Sequence, residues 1–172
     1  MVIPREVIAP ATIAARIAAV GQAITADYAG KELVLVAMLK GATVFLGELL
    51  RSIGGPVRFE LVNVTQQSDE RGERIDLTYA THVKLTGANA LILKDICHSG
   101  VTENYLITHL AQQDPASLEV VALVDRPLLR RVAVAPKYVV LPDVPTGRLV
   151  GFGMEYQGRW GNLPGIHLLE GA

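Results

Sequence analysis

The stretch that most limits what this chain can become runs from Ala90 to Thr102. Ala90-Leu91-Ile92-Leu93 is a short aliphatic run of the kind that makes a strand buried on both faces. Lys94-Asp95-Ile96-Cys97-His98 carries it into polar territory, Ser99-Gly100 turns the chain, and Glu103 to Leu110 has a helical pattern. A strand that ends in a small-residue loop and opens a helix is a cradle for phosphate. The first helical N–H groups are unpaired and partly positive, glycine allows close approach, and Ser99 and Thr102 add hydroxyls. In a parallel α/β sheet such a loop lies beyond the carboxyl ends of the strands, where ligands bind.

Half of the 172 residues are apolar and few are aromatic, so the core has to be built from Ala, Val, Leu and Ile. That suits a mostly parallel α/β sheet better than an antiparallel sandwich, and the length suits one domain. A formal net charge of -1 offers no electrostatic footprint for nucleic acid or an anionic membrane. A single cysteine rules out an intrachain disulfide and a cysteine-based zinc site, and points to a reducing compartment. No apolar run reaches membrane-spanning length, and none of signal-peptide length precedes Arg16. The expectation is a soluble cytoplasmic protein.

Around the organising stretch, Ile13, Ile17, Val20, Ile24 and Tyr28 recur at helical spacing, with Gly30 placed to end the helix. Leu33 to Met38 reads as a buried strand, Leu39-Lys40-Gly41-Ala42-Thr43 as a second glycine loop, and Val44 to Leu50 as a helix. Val57 to Thr65 predicts a strand. Gln66 to Arg74 has no apolar residue and predicts an exposed, mobile connection, with a return strand over Ile75 to Val83. Leu118 to Asp125 and Lys137 to Leu141 are further strands, and Ile166-His167-Leu168-Leu169 closes the chain. Arg126, Arg130, Arg131 and Lys137 read as a solvated face, and Cys97 as a small packed hydrophobe.

Lys94-Asp95-Ile96-Cys97-His98-Ser99-Gly100-Val101-Thr102 resembles the phosphoribosyl-diphosphate (PRPP) motif of the type I phosphoribosyltransferases, in its hypoxanthine-guanine branch. The resemblance implies the α/β fold of that family over residues 1–172, with a small hood from about 1–12 and 142–172. It implies transfer of phosphoribosyl from PRPP to a 6-oxopurine-type base, release of pyrophosphate, Mg²⁺ as cofactor, and a homodimer or homotetramer. The 5′-phosphate and ribose would fall to Asp95, His98, Ser99, Gly100, Val101 and Thr102, with His98 and Asp95 in the catalytic positions. Leu39, Lys40 and Gly41 match the pyrophosphate loop, whose Leu–Lys bond is often cis in the family. A flexible lid is implied near Gln66-Gln67, where the residues themselves fit an ordinary hairpin tip at least as well. Val144 to Tyr156 resembles the base-pocket segment, so that Arg126, Arg148, Leu149 and Glu155 would surround the nucleobase and Glu155 and Asp95 would meet the metal.

The departures cluster in the site. The family's first acid is Lys94, its proton-accepting Asp is His98, its stacking aromatic is Arg148, its magnesium Asp is Glu155, and its base-contacting Lys is Arg126. A pyrophosphate Arg is Gly161, with Arg159 nearby as a substitute. Lys94 either faces solvent or pairs with Glu60 or Asp125. The loop is thereby about three charge units less negative than the family's. A bound phosphate favours the imidazolium form of His98, which accepts no proton. Two readings remain: an enzyme with altered base specificity, or a catalytically weak protein that binds PRPP or a nucleotide and regulates.

Overall fold

The computed structural model of the chain describes residues 4–69 and 72–170. In chain order its elements are β1 (Arg5–Ile8), α1 (Pro10–Asp27), β2 (Leu33–Leu39), α2 (Ala42–Ser52), β3 (Val57–Asp69) and β4 (Gly72–Tyr79). Next come β5 (Asn89–Cys97), α3 (Val101–Ala111), β6 (Ser117–Asp125), a single 3-10 turn at Pro127–Leu129, β7 (Tyr138–Leu141), β8 (Arg148–Val150) and β9 (Ile166–Leu169). Six strands form one sheet in the order β4-β3-β2-β5-β6-β7, parallel throughout except for the β3–β4 hairpin. The terminal segments meet in a second, antiparallel sheet of order β1-β9-β8.

The run that reads as a strand buried on both faces is one. Leu33, Leu35 and Ala37 of β2 join Leu91 and Leu93 of β5 in a core shared with α1 and α2. Val34, Val36 and Met38 join Ala90 and Ile92 in a second core under α3. Side chains alternate across the pleat, so one aliphatic run feeds both layers. The chain leaves β2 through α2 to β3 on one side, and returns to β5 on the other. Such a reversal opens a crevice at the carboxyl ends of β2 and β5.

The expected hairpin is longer than its composition suggested. The run from Gln66 to Arg74 belongs to the outer half of the β3–β4 hairpin, with Gln66 opposite Ile75, Gln67 opposite Arg74, Ser68 opposite Glu73 and Asp69 opposite Gly72. Ladder hydrogen bonds need no apolar side chain, so two strands can run on past the edge of the core. Residues 70 and 71 of that run lie outside the described residues. The return strand also stops at Tyr79 rather than Val83.

Helix α1 buries Ile13, Ile17, Gly21 and Ile24 along one stripe. Its far end is tied to β7: the Tyr138 hydroxyl donates to Asp27 Oδ2 at 2.5 Å, and Lys137 Nζ lies 3.7 Å from Asp27 and 4.9 Å from the Tyr28 ring centre. Burial, helped by the Asp27 carboxylate, pushes the Tyr138 phenol up to about 12. Gly21 sets the distance between helices, because a Cβ there would lie 2.6 Å from both Cβ and O of Ser52 on α2. Gly21→Ala should therefore destabilise the fold by about 1–3 kcal/mol through overpacking, although at an open helix position it would stabilise by about 1 kcal/mol. Urea unfolding monitored by circular dichroism reads the sign, and a stabilised variant would contradict the α1–α2 contact.

Candidate active site

Strand β5 ends at Cys97, and the next three residues make the turn into α3. Gly100 stands at φ 80°, and a Cβ on it would come within 2.7 Å of Val132 O and 3.0 Å of Arg130 Cδ. Only glycine meets both demands. The Val101 N–H donates to Ser99 Oγ at 3.3 Å. Behind the loop, the N–H groups of Arg131 and Val132 donate to Ser99 O at 2.8 and 3.1 Å, and that of Arg126 to Cys97 O at 2.9 Å. The loop is thus braced by residues 126–132.

The neighbouring loop leaves β2 through a cis Leu39–Lys40 peptide, as the resemblance implies. Gly41 lies so close under Asp95 that a Cβ on it would overlap the Asp95 carboxylate. On its other side, a Cβ at Gly153 would lie 2.8 Å from Gly41 O. Lys40 Nζ pairs with Glu155 Oε1 at 3.4 Å across solvent. A cavity of about 680 Å³ joins Lys40 and Glu155 to Arg159 and Gly161. A second cleft, about 490 Å³, brings together Asp95, His98, Arg148, Leu149 and Glu155, with Leu129 at its margin. A larger hollow of about 860 Å³ sits at the opposite, amino end of β2 and β3, away from this chemistry.

Lys94 neither faces solvent nor reaches Glu60 or Asp125. Glu60 takes Arg58 at 3.1 Å, and Asp125 takes Arg130. Lys94 Nζ instead lies 3.0 Å from Asp95 Oδ1 and 3.9 Å from Glu103 Oε1. Burial pulls the Lys94 pKa down, but the charges of Asp95 and then Glu103 reverse this, so the net shift is upward and the ammonium persists. Glu103 is 1% exposed and accepts a hydrogen bond from the Thr102 hydroxyl at 3.2 Å. Sequence reasoning missed it. Its signal was a charged residue on the stripe Glu103, Leu106, Leu110 that α3 turns to the core, since a buried acid calls for a buried cation.

Two further arginines make contacts that the sequence did not predict. Arg130 is no part of a solvated face: its guanidinium donates to His98 O at 2.9 Å, to Cys97 Sγ at 3.0 Å and to the Asp125 carboxylate. Arg126 donates to Pro145 O at 2.6 Å and Val144 O at 3.4 Å, and so holds the turn that leads into Arg148. Arg148 itself lies over Tyr156, Cζ 4.5 Å from the ring centre.

A family model described as a phosphoribosyl transferase domain matches residues 8–157. The chain is 31% identical over 166 residues to a hypoxanthine-guanine phosphoribosyltransferase of Mycobacterium avium, covering 92% of this chain and 81% of the relative. It is 32% identical over 158 residues to the bifunctional protein TilS/HprT of Listeria innocua, covering 90% of this chain but spanning about a quarter (24%) of that longer relative. Among solved structures, a hypoxanthine-guanine phosphoribosyltransferase of Bacillus anthracis superposes with a TM-score of 0.89 at 28% identity, over 97% of each chain.

Cys97 lies at the centre of the cradle's supports and is fully buried. Burial, with Glu103 adding to it, pushes its thiol up to about 11. Native protein should therefore resist thiol reagents at pH 8 and yield one thiol per chain in urea. Because the folded state holds this proton more tightly, the associated stability is complete below the ordinary thiol range and is lost as pH climbs toward 11. The fall in unfolding free energy over that interval should be shallower in Cys97→Ala. Rapid labelling of folded protein would contradict the described packing.

Proposed function

This chain belongs to the phosphoribosyltransferase family, close to its hypoxanthine-guanine branch, and on that premise we propose that it transfers phosphoribosyl from PRPP to a 6-oxopurine-type base. The observation that carries the proposal is the convergence of two glycine loops at the carboxyl ends of adjacent strands, with Asp95 seated on Gly41 between them. The 5′-phosphate docks on the amides and hydroxyls of Ser99, Gly100, Val101 and Thr102. Asp95 receives the ribose hydroxyls, and Lys40 with Gly41 and the peptide of Leu39 receives pyrophosphate. The C1′–O bond to pyrophosphate breaks as a ring nitrogen of the base forms the C1′–N bond. His98, which lines the same cleft as Asp95, takes the proton that the nitrogen sheds only as the neutral imidazole, the form that the neighbouring phosphate opposes; as the imidazolium it serves as a ligand and the proton passes to water. Positioning and charge neutralisation carry the rate.

The base lies against Leu149 and Arg148, under a hood formed by the small sheet, while Arg126 frames the pocket through the 144–145 backbone. Magnesium accompanying the pyrophosphate supplies neutralisation of the leaving group, and Glu155 offers a hard oxygen to hold it. Assembly into a homodimer or homotetramer rests on the resemblance to the family alone. No helix among the described residues is long and apolar enough to cross a membrane. We place the reaction in the cytoplasm, where the lone thiol stays reduced.

The Lys94–Asp95 pair favours a second reading, a regulator that binds PRPP or a nucleotide without turnover. Pyrophosphate release from PRPP with a panel of nucleobases separates the two: release with a 6-oxopurine is expected, and binding without release would make the protein a sensor. His98→Asp should keep or raise that turnover, measured the same way. A complete loss would give the histidine a role that a carboxylate cannot fill.

A further inference from the structure

On the ribose side of the site the donor set does not suit a divalent ion. Asp95 is the acid that the resemblance assigns to a metal there, yet its Oδ1 lies 3.0 Å from the Lys94 ammonium and its carboxylate is packed against Gly41. Among the described residues no three His, Cys, Asp or Glu side chains gather into a metal-binding set. A cation that approached Asp95 would meet one already in place.

Lys94 is also held there. Its side chain is 22% exposed, and on the side away from Asp95 it has Glu103, whose carboxylate is fixed in turn by the Thr102 hydroxyl. The pair joins β5 to the first turn of α3, directly beneath the phosphate cradle. An ammonium has three donors. Two carboxylates engage at most two of them at these distances, which leaves one for a hydroxyl of the sugar.

We propose that Lys94 is the resident cation of the ribose side, positioned by Glu103, and that this side binds the sugar phosphate with no metal bridge, so that a divalent ion enters only with the pyrophosphate, at Glu155. The proposal rests on the phosphoribosyltransferase reading and deepens it. Lys94 would touch the substrate. Glu103 would act through Lys94 and is a positioning residue.

Ribose 5-phosphate and PRPP are the two probes. Ribose 5-phosphate carries the 5′-phosphate and ribose hydroxyls but no pyrophosphate, so its calorimetric affinity should agree within about twofold between Mg²⁺ and chelator. With PRPP, Mn²⁺ counted by electron paramagnetic resonance should reach one ion per chain. The double variant Lys94→Met with Glu103→Leu removes both charges together, so neither is left buried alone, and it should gain a second Mn²⁺ once Asp95 is released. Glu103→Gln should raise KM for PRPP at least fivefold with less effect on kcat, and Glu103→Asp should recover part of it. Two Mn²⁺ ions on the wild-type chain, or a tenfold loss of ribose 5-phosphate binding in chelator, would overturn the proposal while leaving the family reading intact. Absence of binding by both probes in both buffers would overturn the proposed transfer from PRPP, and this proposal with it.

Discussion

Asp95 rests on Gly41 so closely that no side chain fits between them, and the rest of the site depends on that contact. It fixes the separation of the two anion loops, one leaving β2 and the other leaving β5. Both loops owe their conformations to positions where a Cβ is excluded: Gly41 by the carboxylate above it, Gly100 by its φ of 80° and by Val132 O behind it. Parallel neighbours β2 and β5 are in register from Leu33 opposite Asn89 to Ala37 opposite Leu93, so the loops emerge side by side. The distance between the two loops is therefore set by the strand spacing of a sheet, which is among the stiffest lengths a protein has.

The electrostatics derive from one exchange of charge. A divalent ion about 4 Å from a carboxylate gains roughly 8 kcal/mol at an effective dielectric constant of 20, and an ammonium at the same distance opposes it. Lys94 lies 3.0 Å from Asp95, so this side of the site gives a divalent ion little net attraction. Leaving the ammonium buried opposite Asp95 alone would still be costly, as would leaving Glu103 buried alone, and each relieves the other at 3.9 Å. The pyrophosphate side is built differently. Lys40 and Glu155 pair at 3.4 Å while largely exposed, and such a pair is worth little and parts readily, which frees both groups for an incoming ligand and its counter-ion.

How far the sequence revealed this depended on whether a property is carried by one element or by two. The strands of the large sheet, their double-sided burial, the Gly30 turn and the loop at Ser99-Gly100 are local, and periodicity with turn chemistry located them, whereas the short strands β1 and β8 of the small sheet carry too few residues to show a period. The β3–β4 hairpin was missed at its outer half because polar composition reports on side-chain burial and says nothing of ladder pairing between Gln67 and Arg74. Arg130 looked like surface because it stands in sequence among other cations, Arg126, Arg131 and Lys137. Its guanidinium is enclosed only because strand order brings β6 beside β5 and thus Asp125 beside Cys97. Lys94 and Glu103 are separated by a strand end, a turn and a helix start, where neither the helical nor the strand period applies.

Around the base cleft, a fork stands where a point charge was expected, and the fork is already occupied. A lysine presents one centre to one acceptor, whereas a guanidinium is matched to two, and Arg126 has found two in the carbonyls of Val144 and Pro145. Hydrogen bonds from a charged donor contribute about 1.5–3 kcal/mol each when they form. A base that drew Arg126 away would have to offset both and would loosen the turn that carries Arg148. On the proposed reading the less costly course is for a base to leave Arg126 in place and to meet the residues that line the cleft, Leu149, His98, Asp95 and an Arg148 guanidinium already aligned on Tyr156 at 4.5 Å. Selectivity would then be a matter of shape and of the groups left unengaged, because Arg126 is committed to the backbone.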